Sequence, residues 1–177
     1  PADIELLTAA HAHTRPKEGE PALEPALDQA LLEELNEGLV CLSGCARQGL
    51  AVRNPNAAVR LARAFGRERF YVELQRPFER GDVRRNASLR DLAETLGVET
   101  AVTGDVHAHD PSRAPLQDAM GAIRHRTSLE GSESERRGNH EALLRAPGEI
   151  PDRFPLDRDA VKRTAVIAER CGFDLTE

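Results

Sequence analysis

Val98-Glu99-Thr100-Ala101-Val102-Thr103-Gly104-Asp105-Val106-His107-Ala108-His109-Asp110 opens on a strand-forming run and closes on carboxylates and two imidazoles. That is the order of a buried strand, over Val98 to Thr103, feeding a polar loop. Just before it, Asp82 is placed to cap a helix whose Leu89, Leu92, Ala93 and Leu96 form one apolar face, and Gly97 ends that helix. About thirty residues upstream the same unit recurs, the spacing of a βαβ crossover. Phe70-Tyr71-Val72-Glu73-Leu74 reads as a strand, preceded by a helix that Asn54 caps, Pro55 opens and Gly66 closes after Phe65. One round earlier, Leu39-Val40-Cys41-Leu42 is a continuous apolar run stopped by Ser43-Gly44, the pattern of a strand buried on both faces. Leu27, Leu31, Leu32 and Leu35 make a helical stripe over 26–36, with Gly38 placed to cap its end. Strands alternating with helices at this spacing require parallel pairing through right-handed crossovers, so the fold class is α/β.

The flanks differ. Ile4 to Ala10 is a short helix-like stretch, followed by a loop broken by Pro16, Gly19, Pro21 and Pro25. After Pro111 the spacing predicts a helix from about Ala114 to Ile123, a polar stretch from Arg126 to Gly138, a helix over Asn139 to Arg145, and only a short or kinked helix around Pro151. No further strand is expected there. A last helix starts at an Asp157 or Asp159 cap and presents Val161, Thr164, Ala165, Ala168 and Cys171 on one face. The chain therefore divides into 1–110, carrying the βα units, and 111–177, mostly helical.

Of the 177 residues, 40% are hydrophobic and 31% charged, which are globular proportions. No apolar run nears the roughly 18 residues that span a bilayer, so a membrane role is not expected. A formal charge of −6 argues against a surface that holds nucleic acid by bulk charge, leaving only local basic patches. Three sparse cysteines with no charged-then-apolar leader point to a reducing, cytoplasmic setting. The Pro1 start and the unpunctuated end at Glu177 suggest a piece of a longer chain. The absence of a P-loop, a Gly-x-Gly-x-x-Gly and a Gly-x-Ser-x-Gly removes support for kinase, dehydrogenase and esterase readings.

Ligands in α/β folds collect beyond the carboxyl ends of the strands, which directs attention to Ser43-Gly44-Cys45 and Gly104 to Asp110. If the chain stays extended, Asp105, His107 and His109 share one face, as donors suited to Zn²⁺, Mn²⁺ or Fe; a thiolate from Cys45 at the neighbouring strand end would favour zinc. The competing reading is an Asp105 turn cap with histidines edging a loop. Cys41 and Cys171 lie in apolar patterns and are expected to be buried small hydrophobes. His11-Ala12-His13 follows a helix-like stretch and enters a proline-rich loop, so these are read as surface histidines. Arg124-His125-Arg126 and Arg136-Arg137 form the most basic region, fit either for phosphate contact or for pairing with Glu130, Glu133 and Glu135 in a solvated loop.

The segments Leu39 to Cys45, Phe70 to Gln75, Thr103 to His107 and Arg124-His125-Arg126-Thr127-Ser128-Leu129 together resemble bacterial C-family replicative DNA polymerases, the α subunit of polymerase III. Arg136-Arg137-Gly138-Asn139-His140 with His107-Ala108-His109 is most similar to the error-prone, damage-inducible branch of that family. The resemblance implies that 1–110 is the carboxyl-terminal half of a polymerase and histidinol phosphatase (PHP) domain, a distorted (β/α)₇ barrel. It implies that 111–177 ends that domain and leads toward the palm. It further implies metal ligation by Cys45, Asp105 and His107, with Zn²⁺ or Mn²⁺, and a phosphoesterase or 3′–5′ exonuclease-like site. His109 lies outside the family's ligand pattern and is an additional possibility; Arg124, Arg126, Arg136 and Arg137 are the phosphate-contact candidates. The palm aspartates and their Mg²⁺ would lie beyond Glu177. Implied partners are DNA, deoxynucleoside triphosphates and other replication or translesion subunits, all through the full-length protein. A catalytically silent PHP platform and a free-standing phosphoesterase are the alternatives.

Overall fold

The computed structural model describes residues 27–136 and 138–172. His11, His13, the 4–10 stretch and Arg137 lie outside them. Helix α1 (Gln29–Glu34) starts where Asp28 Oδ1 accepts the Ala30 N–H at 2.9 Å. It is shorter than its leucine stripe predicts because Asn36 bonds back, Nδ2 donating to the Glu33 carbonyl at 2.8 Å, and so competes with the helix ladder. The chain then alternates β1 (Cys41–Leu42), α2 (Leu50–Arg53), α3 (Pro55–Phe65), β2 (Phe70–Leu74), α4 (Asp82–Leu96) and β3 (Glu99–Val102). Asn54 caps α3 through a 3.2 Å bond from Ala57 N, with Pro55 in its first turn. α4 begins at Asp82 itself, so its cap lies one residue earlier than expected. Gly81 (φ +95°) takes the cap position, and the Asp82 carboxylate turns back to accept the Glu79 N–H at 3.0 Å.

The three strands are parallel in the order β1-β2-β3, so the α/β class holds. Cys41 pairs with Phe70 and Tyr71 with Glu99, which brings the carboxyl ends of all three strands to one edge. Among the described residues the sheet is open and has three strands. Central β2 is buried throughout. Its Phe70, Val72 and Leu74 join Leu61, Phe65, Leu89 and Ala93 in the main core. Burying each such side chain contributes about 2 kcal/mol. By strand alternation Tyr71, Glu73 and Gln75 occupy the opposite face.

Several expectations are corrected. The first strand, expected over Leu39–Leu42 and buried on both faces, is two residues long, and Leu42 is 37% exposed, because β1 is the outer strand of the described sheet. Residues 139–145 are not helical. Seven residues are too few to nucleate a helix alone, and the segment instead runs beside the β3 loop as a parallel bridge, Ala108 with Leu143. α5 (Ala114–Arg124) and the short α6 (Ile150–Arg153) form as expected. α7 (Arg158–Arg170) lies on β3, but its face is set by hydrogen bonding more than by apolar periodicity. Arg163 Nη1 donates to the Thr100 carbonyl (2.6 Å) and Thr164 Oγ1 to the Val102 carbonyl (2.8 Å), which covers the strand edge. Ala160 is the buried residue of α7, whereas Ala165, Ala168 and Cys171 are exposed. Cys171 is thus not the buried thiol its pattern suggested.

Candidate functional site

The loops after β1 and β3, together with residues 117–125 and with Ser132 and Arg136, enclose a cleft of about 700 Å³ at the carboxyl edge of the sheet. The first, after β1, is closed tightly. Gly49 N donates to the Cys45 carbonyl at 2.7 Å, and a Cβ on Gly49 would meet that oxygen at 2.3 Å, so only glycine allows the approach. Cys45 is half-buried on this loop, and its Sγ accepts the Gln48 N–H at 3.3 Å.

The second loop follows β3. Asp105 adopts φ +46°, a left-handed conformation that Asp tolerates better than most residues. The chain therefore turns at Asp105 instead of staying extended, yet the turn still brings His107 Nε2 to 3.3 Å from Asp105 Oδ1. The 139–145 segment fixes the backbone here: His107 N donates to the Ala142 carbonyl at 2.9 Å. That contact was not readable from the sequence, since Ala142 carries no chemistry of its own. His109 bonds to Asp110 at 2.8 Å, is 68% exposed, and does not line the cleft with Asp105 and His107.

Arg47, Arg124 and Arg136 complete the cleft around Cys45, Asp105 and His107. Arg47 reaches Glu79 at 2.7 Å. Arg136 stands 3.9 Å from Asp118, which also meets His140 Nε2 at 3.3 Å. Arg126 (φ +53°) is exposed and does not line the cleft.

The thiol of Cys45, the carboxylate of Asp105 and the imidazole of His107 are donors that suit a borderline divalent cation. Among the described residues, however, no three histidine, cysteine, aspartate or glutamate side chains meet closely enough to hold one. Asp105 and His107 thus form at most one side of a metal site. Cys41, on β1, does not line the cleft; burial, with help from the Glu73 charge, pushes its thiol up to about 11.

A second cleft, of about 800 Å³, lies at the opposite end of the strands, and three of its cations are engaged. Arg163 pairs with Glu99 at 2.7 Å, Lys162 with Asp159 at 3.0 Å, and Arg170 donates to Tyr71 Oη at 2.7 Å. No helix among the described residues is long and apolar enough to cross a membrane.

Fold and cleft together define an α/β unit with an arginine-rimmed polar cleft at the carboxyl ends of parallel strands, the usual ligand position in such sheets. Over most of its length the chain is homologous to error-prone DNA polymerases. It is 33% identical to the error-prone DNA polymerase of Symbiobacterium thermophilum over 94% of the chain, covering 17% of that protein. It is 37% identical to error-prone DNA polymerase 2 of Agrobacterium fabrum over 67% of the chain, covering 11% of that protein. It is likewise 37% identical to the error-prone DNA polymerase of Mycolicibacterium paratuberculosis over 76% of the chain, covering 13% of that protein. The chain thus spans about a sixth or less of the curated relatives it matches. No protein-family model matches it.

Proposed function

We propose that this chain is a segment of an error-prone-type DNA polymerase, the carboxyl-terminal half of its PHP domain together with the start of the connection toward the palm. In this reading the three parallel strands are part of the PHP barrel, and the cleft is part of a phosphoesterase or 3′–5′ exonuclease-like site. The observation that carries the reading is the meeting of Asp105 and His107 at 3.3 Å in a cleft that Cys45 and three arginines share. Cys45, Asp105 and His107 would hold one side of a Zn²⁺ or Mn²⁺ site, with His109 an outlying further donor and the remaining ligands supplied from outside the described residues. A divalent metal bound there would supply Lewis acidity and a nucleophilic water at neutral pH. Arg124 and Arg136 would orient a phosphodiester by bidentate contact and offset its charge; Arg126 and Arg137 would act further along the backbone.

Synthesis of DNA, use of deoxynucleoside triphosphates with Mg²⁺ at a palm, translesion replication and cytoplasmic assembly with other replication subunits belong, in this reading, to the full-length protein. The test is a 3′–5′ exonuclease and phosphoesterase assay on that protein, comparing wild type with Cys45→Ala and Asp105→Asn. Loss of hydrolysis with retained DNA synthesis is the expected result. Equal hydrolysis in all three proteins would leave the domain as a structural platform.

A further inference from the structure

The polar face of β2 carries two side chains that a buried strand would not need for packing. Glu73 is 8% exposed and Gln75 3%. The Gln75 amide uses both ends: its Oε1 accepts the Ala46 N–H at 2.8 Å, and its Nε2 donates to Glu73 Oε1 at 2.6 Å and to Thr103 Oγ1 at 2.9 Å. Thr103 Oγ1 also donates to Glu73 Oε1. Ser43 Oγ accepts the Glu73 N–H at 2.9 Å, and the Gln75 carbonyl accepts from Asn86 Nδ2 of α4 at 3.1 Å. Each of these groups would cost free energy to bury without a partner, so the network is useful only as a whole.

Its two ends are the two arms of the cleft. Ala46 follows Cys45 directly, and Thr103 precedes Asp105 by two residues. One amide therefore ties the Cys45 loop and the Asp105 strand end to the same point on the central strand. Apolar side chains at 73 and 75 would fill this face with less desolvation, but they would hold neither loop. We propose that Glu73 and Gln75 are positioning residues, which set Cys45 against Asp105 and His107 across β2. The inference rests on the reading that these three side chains serve one site.

The test is site-resolved alkylation of the 177-residue chain with iodoacetamide, followed by mass spectrometry, in wild type, Gln75→Leu, Thr103→Val and Thr103→Ser. Cys41, half-buried on the outer strand β1, reports opening of the sheet at that strand, whereas Cys45 reports its loop. In Gln75→Leu the Cys45 rate should rise by about fivefold, the scale of one lost hydrogen bond, with the Cys41 rate unchanged. Thr103→Val should raise it less, and Thr103→Ser should restore the wild-type rate. An unchanged Cys45 rate, or Cys41 and Cys45 accelerating together, overturns the proposal. Co²⁺ titration of the same proteins separates the two readings: if the wild type develops no thiolate-to-cobalt absorption, the metal assignment fails while the alkylation result still decides the positioning role.

Discussion

His107 Nε2 lies 3.3 Å from Asp105 Oδ1 because Asp105 turns the chain at φ +46°, not because the strand continues. The contact therefore depends on a backbone conformation that few side chains accept. Asp105→Asn should keep this turn and unfold within about 0.5 kcal/mol of wild type, Asp105→Ala should cost about 1 kcal/mol, and Asp105→Val about 2 kcal/mol. Urea denaturation of the four proteins measures the series. A valine variant as stable as the asparagine one would contradict the strained turn.

Arg90 forks onto Asp157, Nε at 2.6 Å from Oδ1 and Nη2 at 3.0 Å from Oδ2, joining α4 to the start of α7. The hydrogen bond to Asp157 is the main cause that raises the guanidinium's pKa above its ordinary value. Asp157, at 7% side-chain exposure, would be left buried and unpaired by Arg90→Ala, at a cost of about 2 kcal/mol. Arg90→Lys should recover less than half of that loss, since an ammonium cannot reproduce the fork. Thermal unfolding monitored by circular dichroism checks both variants, and full rescue by lysine would show that charge alone matters.

The sheet was legible because each strand is a short apolar run bounded by glycine or a helix cap, as at Gly66 before Phe70 and Gly97 before Glu99. Cys45, Asp105 and His107 were legible as chemistry placed beyond such runs. What could not be read was carried by backbone and by long-range contact. The left-handed turn at Asp105 leaves no pattern, and Ala142 holds His107 through a carbonyl that every residue possesses. The Glu73–Gln75 network was hidden inside a run that reads only as a strand. Cys171 misled because only the first part of the expected α7 face meets the sheet: Val161 and Thr164 do, beside Ala160, whereas Ala165, Ala168 and Cys171 are exposed.

Cys41 makes folding sensitive to alkaline pH. Its thiol is pushed up to about 11 from 9.0, chiefly by burial and then by the Glu73 charge, so the unfolded chain ionises first. Stability from this group is complete below pH 9, falls between about 9 and 11, and is then lost, a difference of at most about 3 kcal/mol. Cys41→Ala should remove that part of the slope, seen as a smaller drop in urea midpoint between pH 8.5 and 11 than wild type shows. Equal slopes in the two proteins would place the alkaline sensitivity elsewhere.

Zinc binding separates the site from its surroundings. With Asp105 and His107 as two donors and Cys45 as a third not yet gathered with them, the 177-residue chain should bind Zn²⁺ weakly, at micromolar affinity or poorer, an affinity of about −8 kcal/mol or less in magnitude. Asp105→Ala combined with His107→Ala should abolish it, and His109→Ala should leave it nearly unchanged, since His109 bonds to Asp110 outside the cleft. Isothermal titration of the three proteins reads this directly. Tight, stoichiometric zinc that survives the double substitution would refute the ligand assignment. Loss on His109→Ala would instead mean that the loop after β3 refolds around the metal, turning Asp105 and bringing both histidines to one side as an extended strand would.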